Sequence, residues 1–217
     1  MNPKLSKWLK WLDVIHKDVR NLKVAQRNFW EIQNLIEANK NLHIENDFFR
    51  YIAESYVSHA VMSIRRQIKV SDENSISFAK LLQEIIDNPD VLSRNYYVSL
   101  YKGSYLEDLA DSDFNKFSEP RLECVKASLI CTDLQQLKVN ATGCEHLADR
   151  RIAHIDSRSL KKSVTFNELD KAIDTMDELF VKYYLLFHAK KMDTVLPVRQ
   201  YDWQKIFTIP WIQPPKM

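Results

Sequence analysis

Apolar residues recur at alternating steps of three and four along the first part of the chain. The stripe consists of Leu5, Trp8, Leu12, Ile15, Val19 and Leu22. This spacing places the side chains on one face of an α-helix, and the helical pattern resumes through Phe29, Ile32 and Ile36. The lysines that accompany the stripe are Lys4, Lys7, Lys10 and Lys17. We interpret them as the solvated face of a core-packing helix, in preference to a helix that binds a membrane surface.

The same patterning predicts two further helices in the first half of the chain. A long helix is expected from about Ile44 to Lys69. A shorter helix covers the segment ISFAKLLQEII and ends before Asn88 and Pro89. From there to about residue 117 the pattern is weaker and predicts short helices and loops.

A helix start is predicted at Ser118-Glu119-Pro120. Serine supplies an N-cap hydroxyl, and proline is favoured in the first helical turn. The apolar positions expected on this helix are Leu122, Val125, Leu129, Leu134, Leu137 and Ala141. The helix is expected to bend near Thr142 and Gly143 and to continue through residues 148–156.

The last predicted helix begins with a capping box formed by Thr165 and Glu168, and Val164 can pack on Leu169 as a hydrophobic staple. The expected buried residues of this helix are Phe166, Leu169, Ile173, Met176, Phe180, Tyr183 and Phe187. The aromatic and proline-rich residues 191–217 predict an irregular tail that packs on the bundle. The alternative for the tail is a peptide that binds a partner.

Glycine content decides the fold class. The chain has only two glycines, Gly103 and Gly143, and neither glycine nor proline occurs between Lys4 and Asn88. A β-rich or α/β domain of this length needs more glycine at its turns. The sequence therefore predicts an all-α fold: a single-domain helical bundle over residues 1–217, with long antiparallel helices and an irregular C-terminal tail.

Charge and cysteine content exclude several classes of function. The net charge is +2, so a case for nucleic acid or an anionic membrane depends on a local patch. The three cysteines, Cys124, Cys131 and Cys144, are too few and too irregularly spaced for a disulfide framework or a zinc knuckle, and we interpret them as core residues. No apolar run has the length of a membrane span, and no secretory signal is evident. We expect a cytoplasmic protein that binds no membrane.

The segment ADRRIAHID, residues 148–156, carries the candidate chemistry. On an α-helix of about 3.6 residues per turn, its apolar face is Cys144, Ala148, Ile152 and Ile155. His146, Arg150 and His154 follow one another at intervals of four on the other side, with Arg151 on the far flank of His154. The basic residues between positions 150 and 162 are Arg150, Arg151, Arg158, Lys161 and Lys162, against the single acid Asp156.

These residue types match metal-free cleavage of RNA. His154 can accept a proton from a ribose 2′-hydroxyl near neutral pH, and Arg150 and Arg151 can hold a phosphate and stabilise charge that develops on it. The competing interpretation is a solvated helix face on which Asp149 and Asp156 pair with the arginines. A zinc site is disfavoured, because His146 and His154 are about 12 Å apart along a helix axis. We therefore expect no metal and no cofactor.

The segment ADRRIAHID, together with TFNELDKAIDTMDELFVKYYLL and SIRRQIKVSDENSISFAKLLQEIIDNPDVLSR, resembles the HEPN superfamily of helical proteins. The similar branch is that of bacterial abortive-infection, AbiU2-like proteins. The resemblance implies a helical bundle that dimerises and a metal-independent endoribonuclease of toxin or phage-defence type, with an antitoxin protein as a further partner. Carried onto this chain, the motif arginine is Arg150, its polar neighbour is Arg151 and the histidine is His154.

The motif departs from the family pattern in its spacing. The family usually has a longer gap than the three residues between Arg150 and His154, and the position that would restore the commonest gap is Ala148. Because of this departure, two alternatives to the ribonuclease are retained. One is a non-catalytic helical module that binds RNA or a protein, and the other is a plain structural or adapter protein. The expected RNA-binding residues are Arg158, Lys161, Lys162, His146, Arg65 and Arg66. For Arg65 and Arg66, structural ion pairs are the favoured alternative.

Overall fold

The computed structural model describes residues 2–44, 46–71, 74–149 and 164–211. Apart from one isolated bridge between Ser93 and Cys124, the regular secondary structure of these residues is helical, which confirms the all-α prediction. The α-helices are α1 (Pro3–Ala38), α2 (Asp47–Ile68), α3 (Phe78–Asp87), α4 (Arg94–Ser99), α5 (Ala110–Phe114), α6 (Ala127–Leu147) and α7 (Phe166–His188). Short 3₁₀-helices occupy Lys40–Leu42, Pro89–Val91, Glu107–Leu109 and Trp203–Thr208.

The long helices pack as antiparallel neighbours. Near the start of α1, Trp8 contacts Phe187 at the end of α7, with ring centroids 6.5 Å apart. Further along α1, Phe29 contacts Phe166 at the start of α7 and stacks on Tyr56 of α2 at 4.2 Å. Helix α6 packs against α2, α3 and α7. The six residues of the first sequence stripe are all buried, which confirms the core-packing face of α1.

Gln67 joins three helices where α2 ends. Its amide nitrogen donates to the Asp18 carboxylate of α1 at 2.7 Å, and its amide oxygen accepts the backbone N–H of Phe78 at the start of α3 at 2.9 Å. Gln67 is only 3% exposed, so both of its polar groups need these partners. The contact fixes the turn from α2 into α3.

The helix predicted to begin at Ser118 begins instead at Ala127, so this prediction is wrong by about nine residues. The segment between them follows the start of α4: the N–H of Arg94 donates to the carbonyl of Glu123, and the N–H of Val125 donates to the carbonyl of Leu92. Leu122, expected on the buried stripe, is 37% exposed. Local capping signals were therefore overridden by contacts with a distant part of the chain.

The side chain of Arg94 supplies the physical reason. Its guanidinium is buried and donates to the carbonyl oxygens of Leu122, Glu119 and Asp111 at 2.9–3.1 Å. It also donates to the side chains of Asp111 and Asn115. Together with the backbone hydrogen bonds to the start of α4, these contacts hold the segment before α6 in its irregular conformation.

Helix α7 starts as predicted. The hydroxyl of Thr165 accepts the N–H of Glu168, and the Glu168 carboxylate accepts the N–H of Thr165, which completes the capping box. One expected core position of this helix is wrong, because Phe166 is 38% exposed. Its ring lies at the edge of the core, stacked on Phe29 at a centroid distance of 5.2 Å. The other six expected residues of the stripe are buried.

The irregular tail is confirmed over the residues that the structure describes, and it contacts α1 and α7. The Asp177 carboxylate accepts the hydroxyl of Thr194 at 2.5 Å and the N–H of Val195 at 2.8 Å. Farther along, the indole N–H of Trp203 donates to Glu31 of α1 at 2.5 Å. The assignment of residues 1–217 to one domain stays a prediction.

Candidate functional site

Helix α6 carries the chain to the edge of the candidate motif. As predicted for its inward face, Cys144 and Ala148 are buried, at 1% and 0% exposure. His146 lies on the exposed side of the same turn. The rest of the motif, including Arg150, Arg151, His154, Arg158, Lys161 and Lys162, lies outside the described residues. The part of the candidate site that the structure describes therefore ends at Asp149.

The burial of Ala148 matters for the short gap between Arg150 and His154, because an arginine at position 148 would restore the commonest gap of the family. A guanidinium is almost never fully buried without a charged partner. An arginine at position 148 would point into the core, where it could not present its guanidinium to a phosphate. The arginines available to the motif are consequently those that follow Asp149 in the sequence.

Two acidic residues, Glu145 of α6 and Asp149 just past its end, face two basic residues, Arg65 of α2 and Lys69 just past its end. We call these four residues the Arg65–Asp149 cluster. Nε of Arg65 donates to Oδ1 of Asp149 in a short hydrogen bond. Nζ of Lys69 donates to Oε1 of Glu145 at 2.6 Å and lies 3.7 Å from Oδ2 of Asp149. Both oxygens of the Asp149 carboxylate thus have a cationic partner on α2.

The cluster is half-buried, with side-chain exposures between 30% and 40%. Partial burial raises the pKa of Asp149, but the hydrogen bond from Arg65 and the charges of Lys69 and Arg65 outweigh it, so the pKa lies below its ordinary value. The carboxylate is therefore ionised at neutral pH. Two carboxylates and two cations also leave this cluster without net charge.

Arg66 has a different place in the fold from Arg65. Nη2 of Arg66 contacts the Asp18 carboxylate of α1 at 2.8 Å and the hydroxyl of Ser63 at 2.9 Å. Successive residues of a helix point in different directions, so Arg65 faces α6 while Arg66 faces α1. Both arginines form ion pairs, and only Arg65 contacts the end of α6.

The remaining candidate ligands do not form a metal site. Among the described residues, no group of three or more His, Cys, Asp or Glu side chains could hold a metal ion. Of the three cysteines, only Cys144 is a core residue, since Cys124 and Cys131 are partly exposed. Burial, with a contribution from the charge of Glu168, raises the pKa of the Cys144 thiol to about 11. Cys144 is thus a protonated packing residue.

Sequence reasoning missed the contribution of Lys69 and Glu145 to this site. A signal was present: Arg65 and Lys69 are four residues apart on one helix, as are Glu145 and Asp149 on another. Each pair shares a helix face, and the two pairs have opposite charge. What the sequence does not reveal is that these two faces meet.

A family model described as HEPN AbiU2 matches residues 5–206 of the chain. The match spans the whole bundle, from the first turn of α1 to the 3₁₀-helix of the tail. The all-α bundle with this motif is thus of the HEPN class, and within that class the chain belongs to the AbiU2 family of abortive-infection proteins. No curated protein and no solved structure matches the chain.

Within the part of the chain that the structure describes, no helix is both long enough and apolar enough to cross a membrane.

Proposed function

We propose that this AbiU2-family protein is a metal-independent endoribonuclease of toxin or phage-defence type. His154 is the general base, and Arg150, assisted by Arg151, stabilises the phosphate. The observation that carries the proposal is the position of the motif: it follows directly on Asp149, at the end of a bundle helix that α2 holds through ion pairs.

The chemistry requires only the residues of the motif. His154 removes the proton of a ribose 2′-hydroxyl, and that oxygen bonds to the adjacent phosphorus while the bond from phosphorus to the 5′-oxygen of the next nucleotide breaks. The departing 5′-oxygen takes a proton from water, and the imidazolium of His154 returns its proton to the solvent. The products are a 2′,3′-cyclic phosphate and a 5′-hydroxyl. The arginines stabilise the additional negative charge on the phosphate in the transition state. Their positive charge also disfavours the protonated imidazole of His154.

The Arg65–Asp149 cluster supports this interpretation over a solvated face. In the solvated-face alternative, Asp149 was expected to neutralise the neighbouring arginines of the motif. Among the described residues, the Asp149 carboxylate has Arg65 and Lys69 as partners. The acid closest to Arg150 in sequence is thus engaged with α2.

The test is RNA cleavage in excess EDTA by the wild-type protein and by His154→Ala. We expect the wild type to produce fragments with cyclic-phosphate ends, and His154→Ala to lose at least about 100-fold in rate, as for the loss of a general base. The matched control is His59→Ala, an exposed histidine in the middle of α2, which should cleave as the wild type does. Cleavage of equal rate by wild type and His154→Ala would contradict the assignment of the base.

The second candidate is a non-catalytic module that binds RNA or a protein through the same basic segment, including Arg158, Lys161, Lys162 and exposed His146. The short Arg150–His154 spacing favours it. If wild type and His154→Ala bind RNA equally and neither cleaves it, this candidate replaces the ribonuclease. For Arg65 and Arg66, the ion pairs with Asp149 and Asp18 support the structural alternative over RNA contact.

We further propose that the protein is a cytoplasmic homodimer in which two motifs face one cleft, and that an antitoxin protein controls it. The proposal follows from the family, in which the motif is shared between two copies. Light scattering at several concentrations tests the dimer, with the mass of one chain as the contradicting result. Co-purification with the product of an adjacent gene tests the antitoxin.

A further inference from the structure

A surface pocket of about 420 Å³ lies between helix α1 and the tail, and we call it the Arg27–Arg199 pocket. Arg27 and Asn28 line it from α1, and tail residues between Pro197 and Trp203 line it from the other side. Among the described residues, Arg27 and Arg199 are the only charged residues that line it. Its volume lies within the range of about 300–1,000 Å³ that is typical of small-ligand pockets.

Both arginines are held in place by contacts between α1 and the tail. Nη1 of Arg27 donates to the carbonyl oxygen of Pro197 at 3.0 Å, and Nη2 of Arg199 donates to the side-chain oxygen of Asn28. The guanidinium of Arg199 also stacks over the ring of Trp203, with Cζ 4.5 Å from the ring centroid. The side chains of Arg27 and Arg199 are only 22% and 21% exposed. Two guanidinium groups are thus fixed beside one pocket.

The carboxylate of Glu31 balances only one of these two positive charges. Its Oε2 lies 2.9 Å from Nη1 of Arg199 and accepts the indole N–H of Trp203 at 2.5 Å. Its Oε1 is 4.0 Å from Nε of Arg27. Two guanidinium groups and one carboxylate leave the group of three with a net charge of about +1 at neutral pH.

The hydrogen-bonding capacity of the two arginines is also incompletely used. In the part of the chain that the structure describes, three buried side-chain nitrogen or oxygen atoms make no hydrogen bond, and two of them are Nε of Arg27 and Nη1 of Arg199. Buried donors of charged groups are rarely left without an acceptor, because their desolvation costs free energy. Excess positive charge and unused donors beside the same pocket indicate an anionic ligand.

We propose that the Arg27–Arg199 pocket binds the phosphate group of a small ligand, a phosphate monoester of nucleotide size. Guanidinium groups bind phosphate oxygens through paired hydrogen bonds, and a phosphate monoester carries between one and two negative charges at neutral pH. The tetrahedral oxygens of a phosphate can face two guanidinium groups at once, whereas a carboxylate has two oxygens in one plane. The proposal goes beyond the ribonuclease activity and does not rest on it.

Two further lining residues match a nucleotide. The side-chain oxygen of Asn28 is occupied by Arg199, so the NH₂ group of this amide remains to donate to a phosphate oxygen. Tyr201 also lines the pocket and is 76% exposed, and an exposed aromatic ring is a surface on which a nucleobase can stack. Because Arg27 belongs to α1 and Arg199 to the tail, the bound phosphate joins the two.

The experiment is isothermal titration calorimetry on the full chain, with adenosine 5′-monophosphate as the probe and adenosine and inorganic phosphate as comparison ligands. We expect the monophosphate to bind with a Kd below about 1 mM, and adenosine to bind at least about 10-fold more weakly. Inorganic phosphate that binds as tightly as the monophosphate would support the site with free phosphate as its ligand. Equal affinity for adenosine and the monophosphate, or no binding of either phosphate compound, would overturn the proposal.

Variants of the two arginines test the location of the site. Arg27→Gln and Arg199→Gln should each weaken binding of the monophosphate at least about 10-fold. The matched control is Arg20→Gln, which removes an exposed arginine two turns earlier on α1 and should bind as the wild type does. Wild-type affinity in both Arg27→Gln and Arg199→Gln would overturn the site.

Glu31→Gln tests the charge argument without removal of either arginine. Glutamine keeps an oxygen that can accept from Trp203 but removes the negative charge, so the monophosphate should bind at least about 3-fold more tightly. Weaker binding in this variant would contradict the proposal.

Hydrogen exchange of the wild-type protein provides a readout that needs no variant. Because the ligand joins α1 to the tail, saturation with the monophosphate should slow exchange of the amides of residues 198–203. Unchanged exchange there would overturn the bridging role of the phosphate. None of these measurements requires RNA cleavage, so their outcome is independent of the ribonuclease proposal.

Discussion

Single charged side chains in this protein obtain their roles from partners far away in the sequence. Arg94 organises the segment between α4 and α6, and Arg65 fixes the last described residue before the motif. Neither role can be read from neighbouring residues, because the partners are about 20 to 80 positions away. From the sequence we expected structural ion pairs as the favoured alternative for Arg65 and Arg66. The sequence did not identify the acidic partners of these arginines.

Arg94→Lys tests the first of these residues. Lysine keeps the positive charge but cannot reproduce the planar fork that donates to five acceptor atoms, so several part-buried acceptors lose their partner. We expect the free energy of unfolding to fall by about 2–3 kcal/mol. Urea denaturation measures it, with exposed Arg20→Lys as the matched control. A loss below about 0.5 kcal/mol, the size usual for a surface substitution, would show that Arg94 does not organise this segment.

The pH dependence of stability tests Asp149. Its folded pKa lies below its ordinary value of 3.8, so the unfolded chain binds more protons in this range. The stabilisation by the carboxylate is therefore complete above that ordinary value and is lost as the pH falls through the lowered folded pKa. We expect Asp149→Asn to be less stable than wild type at neutral pH, with a difference that shrinks in acid. A difference independent of pH would contradict the ion pair.

At the scale of elements, the sequence correctly predicted the helices and caps that are determined by the local pattern of residues. The stripe of α1, the extent of α2 and α3, and the capping box of α7 are confirmed. The prediction failed at Ser118 because this segment makes its contacts with Arg94 and with the start of α4 in place of a helix. For the candidate site, the inward face of Cys144 and Ala148 was predictable from helical spacing. The contact with α2 was not, because it depends on how two helices pack.

At the same scale, we predict how much stability is lost when the N-terminal cap of α7 is removed. Thr165→Ala deletes the hydroxyl that accepts the Glu168 N–H and should lower the free energy of unfolding by about 1 kcal/mol. Thr165→Ser keeps the hydroxyl and should lose less than half as much. Thermal or urea unfolding measures both. Equal losses in the two variants would show that the lost methyl group, and not the cap, is responsible.

At the scale of the whole molecule, the bundle brings the end of α2 against the end of α6, and the two ends meet in the charge-neutral Arg65–Asp149 cluster. The family match over residues 5–206 covers this entire arrangement. The basic segment of residues 150–162 follows this arrangement directly in the sequence. The proposed ribonuclease activity depends on the chemistry of that segment.

The most direct test of that chemistry is cleavage of a defined RNA in EDTA, compared with the same RNA carrying a single 2′-deoxy nucleotide at the mapped cleavage position. The mechanism uses the 2′-oxygen of that nucleotide as the nucleophile. We expect the natural RNA to be cut and the deoxy-substituted RNA to remain intact at that position while it binds with similar affinity. Cleavage of both RNAs at the same position and rate would contradict the proposed mechanism and with it the role of His154.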